Sequence, residues 1–212
     1  VSIKPDGTVD SSFMGAIDNF DSTVTAIRKQ SDGKIIVCGN FTTYRGATAT
    51  RIARLNTNGT LDTSYTTGTG FNSAVQITAI QSDGKIIASG SFTTYNGVAT
   101  TRIARINTDG TRDTSYTTGT GFNSAAYAIA IQSDGKAVMV GFFTTYNANT
   151  KNYIIRLNTD GSVDTGFSIG TGFNNAAYTV ALQSDGKIVA GGDFTTYNGT
   201  TTTRIVRINT DG

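Results

Sequence analysis

The side chains in this chain with types and spacing suited to chemistry come in sets that recur every 51 residues. The first set is N-x-D-G-x-x-D, seen at Asn107, Asp109, Gly110 and Asp113. Oxygen ligands at alternate positions around a Gly turn are what a calcium loop supplies. The other copies argue against that use, because Asn58 stands where Asp109 does and Lys4 stands where Asn107 does. A loop that accepts Lys at a ligand position holds no calcium there. The pattern reads as turn chemistry, with no metal and no other cofactor.

The second set combines Arg54, Arg105, Arg156 and Arg207 with Asp62, Asp113 and Asp164. An Arg fork suits phosphate or sulfate. Across a tight turn the same spacing also makes an opposite-charge pair between neighbouring strands, which is the simpler reading.

The third set is F-T-T-Y, starting at Phe41, Phe92, Phe143 and Phe194. Its tyrosines, Tyr44, Tyr95, Tyr146 and Tyr197, lead into loops rich in Asn, Thr and Gly, with Asn96, Asn147 and Asn198 next in line. Aromatic faces flanked by amides and hydroxyls suit a sugar ring, so these seven residues are the candidate binding residues. A Tyr in every repeat is equally what packing between repeats produces. Catalysis has less to work with. The chain has no His, which removes Ser–His and Cys–His dyads. A carboxylate pair could act as in glycosidases, but most of the Asp residues fall in repeated turns and no active site breaks the symmetry. The first repeat departs from the rest through Arg28 and Lys29, an altered surface at one end. No enzyme is expected and no catalytic residue is assigned.

The elements that position these sets follow from the same repeat. QSDGK recurs at Gln30, Gln81, Gln132 and Gln183, and a constant period means stacked copies of one supersecondary unit. In the third repeat Ala126 to Gln132 and Lys136 to Gly141 flank an Asp-Gly, the signature of a two-residue type I′ hairpin. Tyr153 to Leu157 and Ser162 to Phe167 add further strands around a second turn. All 15 acids are Asp and Glu is absent, a bias away from helix and toward turns. The fold class is therefore all-β. Four short strands per 51 residues fit one propeller blade, so a propeller-type array of about four blades is expected. A β-solenoid or another stacked meander is the alternative. Counted from the first residue, the windows are 1–50, 51–101, 102–152, 153–203 and a partial 204–212, all within one tandem-repeat region. The NTDG-type turn occurs five times and QSDGK four times, an excess that points to an excerpt from a longer array. Beginning at Val1 without Met or a signal peptide agrees with that expectation.

A net charge of +2 with no basic run beyond two residues excludes a clustered nucleic-acid footprint. No apolar stretch reaches the length of a membrane span, so no membrane insertion is expected. The lone Cys38, replaced by Ser89, Val140 and Gly191 in the other repeats, reads as a small buried strand position.

RIARLNTNGTLDTSY, AIQSDGKIIASGSF and TTYNG together resemble the delta-60 repeat family of bacterial and bacteriophage proteins, over essentially the whole chain. The resemblance implies a propeller-like fold and a surface or structural role on secreted or virion-associated proteins. It transfers no catalytic residue. The expected function is a non-enzymatic extracellular or virion-surface module that attaches to a cell-surface glycan or protein. The competing expectation is a structural spacer or fibre subunit that self-associates.

Overall fold

The computed structural model describes residues 3–10 and 20–212, and all the regular elements among them are β-strands. Each repeat builds a three-stranded antiparallel sheet. The first is Val24–Lys29, Ile35–Gly39 and Ile52–Leu55; the second is Val75–Ile80, Ile86–Gly90 and Ile103–Ile106. The third is Ala126–Ile131, Ala137–Gly141 and Ile154–Leu157; the fourth is Ala177–Leu182, Ile188–Gly192 and Ile205–Ile208. We call these the inner, middle and outer strands of blades one to four. The inner strands of successive blades lie side by side, so the blades fan out from a shared axis. Between middle and outer strand each blade carries a small hairpin, such as Thr94–Tyr95 with Val98–Ala99. This is the expected all-β propeller architecture of four blade units.

Three details differ from the sequence reading. The QSDGK turn has three loop residues, not two. Gly33 N–H donates to Gln30 O at 3.0 Å and Gln30 N–H donates to Lys34 O at 2.8 Å. Only the Gly takes a positive φ (86° at Gly33, 83° at Gly135). That is a type I turn followed by a left-handed Gly, and the Asp instead accepts the Lys N–H through its side chain.

The fourth strand is a single bridge in each of the first three blades, such as Leu55 with Leu61 and Leu157 with Val163. The cause is the Asp that follows. Asp62 Oδ1 accepts the Ser64 N–H at 3.0 Å and Tyr65 N–H returns to Asp62 O at 3.2 Å. This side-chain-capped turn ends the strand after one residue. The link then crosses to the next blade, where Thr66 N–H meets Asp109 O at 2.8 Å.

The blades also run out of phase with the windows counted from the first residue. The edge at 50/51 separates the outer strand of blade one from its inner and middle strands, because hydrogen bonding and not residue count defines the unit.

The core lies between blades. The middle strands of blades one to three are buried on both faces, which explains their apolar runs. Ile86 and Ala88 pack toward blade one, beside Ile36, Cys38 and Ile52. The intervening Ile87 packs toward blade three, beside Met139 and Phe143. Successive strand residues point to opposite faces, so one strand serves two cores. Each fully buried Ile or Phe contributes about 1.5–3 kcal/mol. Cys38 is one of these buried positions, and burial pushes its thiol up to about 12.

Candidate functional site

The candidate tyrosines fall inside the molecule. Tyr44, Tyr95 and Tyr146 are each 1% exposed. Tyr95 packs on Phe71 at 4.5 Å, and Phe71 on Phe92 at 4.3 Å. The phenols of Tyr44 and Tyr146 donate to Gly59 O and Gly161 O at 2.6 Å, and that of Tyr95 to Gly110 O. Tyr197, half-buried, repeats the aromatic trio against Phe173 at 5.0 Å. Burial drives the phenols of Tyr95, Tyr146 and Tyr197 above their ordinary value. The sugar-stacking expectation is therefore corrected for the first three blades. These rings join hairpin to outer turn and leave no face for a ligand.

Asn96, Asn147 and Asn198 are exposed yet engaged through their backbone N–H groups and side-chain carbonyls. They sit in the left-handed region at φ 48°, 50° and 46°, which Asn tolerates better than most residues. Each Oδ1 accepts the N–H of the Thr in the G-T-G link, at 3.2 Å for Thr69, Thr120 and Thr171. Their own N–H groups donate to Gly70, Gly121 and Gly172 at 2.8 to 2.9 Å. They fasten the incoming link to the hairpin.

The charged set is paired within each of the first three blades, and Arg207 of the fourth makes no ion pair among the described residues. Arg54, Arg105 and Arg156 place Nε at 2.7, 2.8 and 2.7 Å from Asp62, Asp113 and Asp164. A third member, which reading the sequence does not single out, is the Lys of QSDGK. Lys34, Lys85 and Lys136 reach the same carboxylates at 2.7, 2.8 and 2.9 Å. Its signal was the constancy of that Lys across repeats. Burial raises these carboxyls, but the Lys, Ser or backbone, and Arg donors together outweigh it. Asp164 is held near 2, and Asp62 and Asp113 lower still. Each guanidinium also covers an aromatic ring, Tyr65, Tyr116 or Phe167, at 4.5 to 4.6 Å. Its Nη1 donates to a carbonyl of the next blade, Thr108, Thr159 or Thr210. In these three blades most of the donors that could grip an anion are spent on the fold. So is the turn carboxylate of Asp109, which accepts both N–H and Oγ of Thr111.

A different surface stands out once the strands are placed. Each inner strand carries a bulge one residue after its start, leaving Thr25, Gln76, Tyr127 and Tyr178 outside the ladder. A Gly of the middle strand permits the close approach; a Cβ on Gly90 would lie 2.1 Å from Ala74 O. The residue after that Gly is Asn40, Ser91, Phe142 or Asp193. These pairs lie around the axis at the end opposite the QSDGK turns. In blade two, Gln76 Nε2 donates to Ser91 Oγ at 2.8 Å. In blade four, Tyr178 OH donates to Asp193 Oδ2 at 2.6 Å, which raises the phenol's pKa. In blade three, Tyr127 and Phe142 meet at 5.1 Å, and Phe142 meets Tyr178 of blade four at 5.6 Å. This pair changes character along the chain, from polar in blades one and two to aromatic in blade three.

Among the described residues no helix is long and apolar enough to cross a membrane. In comparison with solved structures, the chain is similar to the WD40 β-propeller domain of Doa1, at 19% identity and a TM-score of 0.57. The match covers 89% of this chain and 51% of that one, so the chain spans about half of that relative. It is also similar to a gluconolactonase from Xanthomonas campestris (14% identity, TM-score 0.49, 90% of this chain and 61% of that one). A third is the extracellular domain of a putative one-component system from B. thetaiotaomicron (12% identity, TM-score 0.49, 94% and 25%). At such identities the likeness concerns the fold alone. No curated protein matches the sequence significantly. The model of a family described as "Domain of unknown function (DUF5122) beta-propeller" matches residues 30–65, 81–116, 132–167 and 183–212. With more than half of its length matched in this way, the chain belongs to the DUF5122 β-propeller family.

Proposed function

We propose that the chain is a non-enzymatic attachment segment of an extracellular or virion-surface protein, binding a glycan or protein on a cell surface. The observation that carries this reading is where the repeats differ. The turns, the Arg–Lys–Asp clusters and the aromatic trios repeat because they build the blades. The bulge pair on the axial rim varies between Thr25–Asn40, Gln76–Ser91, Tyr127–Phe142 and Tyr178–Asp193. A change of chemical character at exposed positions of a rigid scaffold is the pattern of a recognition surface. The engagement of the turn and cluster carboxylates supports the non-enzymatic part. The delta-60 resemblance supports the extracellular or virion setting.

The test is retention of the labelled chain on a panel of bacterial and animal cells and on a glycan array. Saturable retention is the expected result. The competing spacer reading draws on the Arg links from each blade to the next, which are alike in the first three blades. Absence of retention together with concentration-dependent growth in light scattering would favour that spacer and overturn attachment.

A further inference from the structure

We infer that Tyr127, Phe142 and Tyr178 form a stacking platform for a carbohydrate ring, with Asp193 at its edge as a hydroxyl acceptor. This rests on the attachment reading and names its ligand class and site.

Among the described residues the exposed large aromatic side chains are these three, at 41%, 43% and 42% exposure. Centroid spacings of 5.1 and 5.6 Å make them one continuous surface. Apolar patches left uncovered on a folded surface usually serve a partner. The molecule contains its own control for a packing role. Blades one and two put Thr25, Asn40, Gln76 and Ser91 at the same positions and fold into the same sheets with the same bulge. The fold has no need of aromatic rings there. The bulge explains how they can be present. A residue left out of the ladder is re-aimed away from the blade, and bulges recur beside binding sites for that reason.

The chemistry favours a sugar. A pyranose offers an apolar C–H face and a rim of hydroxyls. The platform offers ring faces, bordered by a carboxylate that keeps acceptor capacity beyond its bond to Tyr178. Rings in direct contact leave no gap to enclose a quaternary ammonium, which aromatic cages hold between their faces. Three rings are also far less than the roughly 800 Å² per side of a stable protein interface. The edge carboxylate disfavours acidic sugars, so neutral hexoses and N-acetylhexosamines are the expected ligands.

The experiment titrates the whole chain with neutral oligosaccharides, sialylated oligosaccharides, tetramethylammonium and an Arg-rich peptide. Tyrosine fluorescence and aromatic NMR shifts report binding. Two variants borrow pairs that this protein already folds with: Tyr127→Gln with Phe142→Ser, and Tyr178→Thr with Asp193→Asn. Expected are binding of neutral sugars by the native chain, unchanged melting temperatures, and affinity at least about tenfold weaker in each variant. Sugar binding that survives both variants overturns this site and leaves attachment standing. Binding only of the cationic probes overturns the ligand class. Failure of every probe here, with cells still retained, overturns the sugar platform alone; failure on cells as well overturns both readings.

Discussion

Arg105 donates through Nη1 to the carbonyl of Thr159, which lies one blade away and 54 residues further along the chain. The same guanidinium holds Asp113 of its own blade at 2.8 Å. One side chain thus fixes both the end of its blade and the seating of the next. Arg105→Ala is expected to cost about 3 kcal/mol, the range for removing one partner of a buried ion pair. Arg105→Lys should recover less than half, since an ammonium reproduces neither the fork nor the ring contact. Urea denaturation followed by circular dichroism measures both. Loss below about 0.5 kcal/mol for Arg105→Ala would show the link to be ornamental at the level of a surface pair.

Acid should act through the same clusters. The folded pKa values of Asp62, Asp113 and Asp164 lie below their unfolded values. Their contribution is therefore present above about pH 4 and is lost as pH falls through the folded values toward 2 and below. With no His in the chain, stability should be flat from about pH 5 to 8. Melting temperatures from pH 2 to 8 test this. Asp113→Asn should lower the plateau and flatten the acid limb. An unchanged acid limb in that variant would remove Asp113 from the account.

Tyr95 should behave as a core residue. Tyr95→Phe removes only the bond to Gly110 O and is expected to cost about 1 kcal/mol. Tyr95→Ser empties the aromatic trio and should cost about 3 to 5 kcal/mol. Thermal melts that place the Ser variant within a degree or two of the native chain would restore this ring as a surface group.

Two glycines at positive φ should respond differently to Ala. At Gly97 nothing lies within 4 Å of an added Cβ, and the third blade carries Ala148 at the same position with φ 61°. At Gly68 the Cβ would lie 2.2 Å from Asn96 Oδ1. Gly97→Ala should cost about 1 kcal/mol or less, and Gly68→Ala clearly more because it also dislodges the Asn96 tie. Equal denaturation midpoints would count against the tie.

Much of this architecture could be read from residue spacing. The period defined the blade, the Asp-Gly pairs located the turns, and the Arg and Asp positions anticipated their ion pair. What escaped the reading depended on geometry that composition does not carry. Asp-Gly serves two-residue and three-residue loops alike, and only the bond from Gln30 N–H to Lys34 O separates them. Ser162 to Phe167 looks like a strand until the Asp164 side chain caps the local turn, accepting the Gly166 N–H. A Tyr in every repeat says that the ring matters, not which way it points. The rim was written in the sequence as two varying columns 15 residues apart, and only the bulge shows that they meet.

That bulge separates what the chain must keep from what it is free to change. Since the residue it expels belongs to no ladder, rewriting it leaves the hydrogen-bonding rules of the blade intact. A fixed 51-residue interval also lets one repeat be exchanged for another without disturbing register. Each blade then behaves like a slot holding one replaceable pair. Exchanging slots rewrites the rim with no new fold to invent.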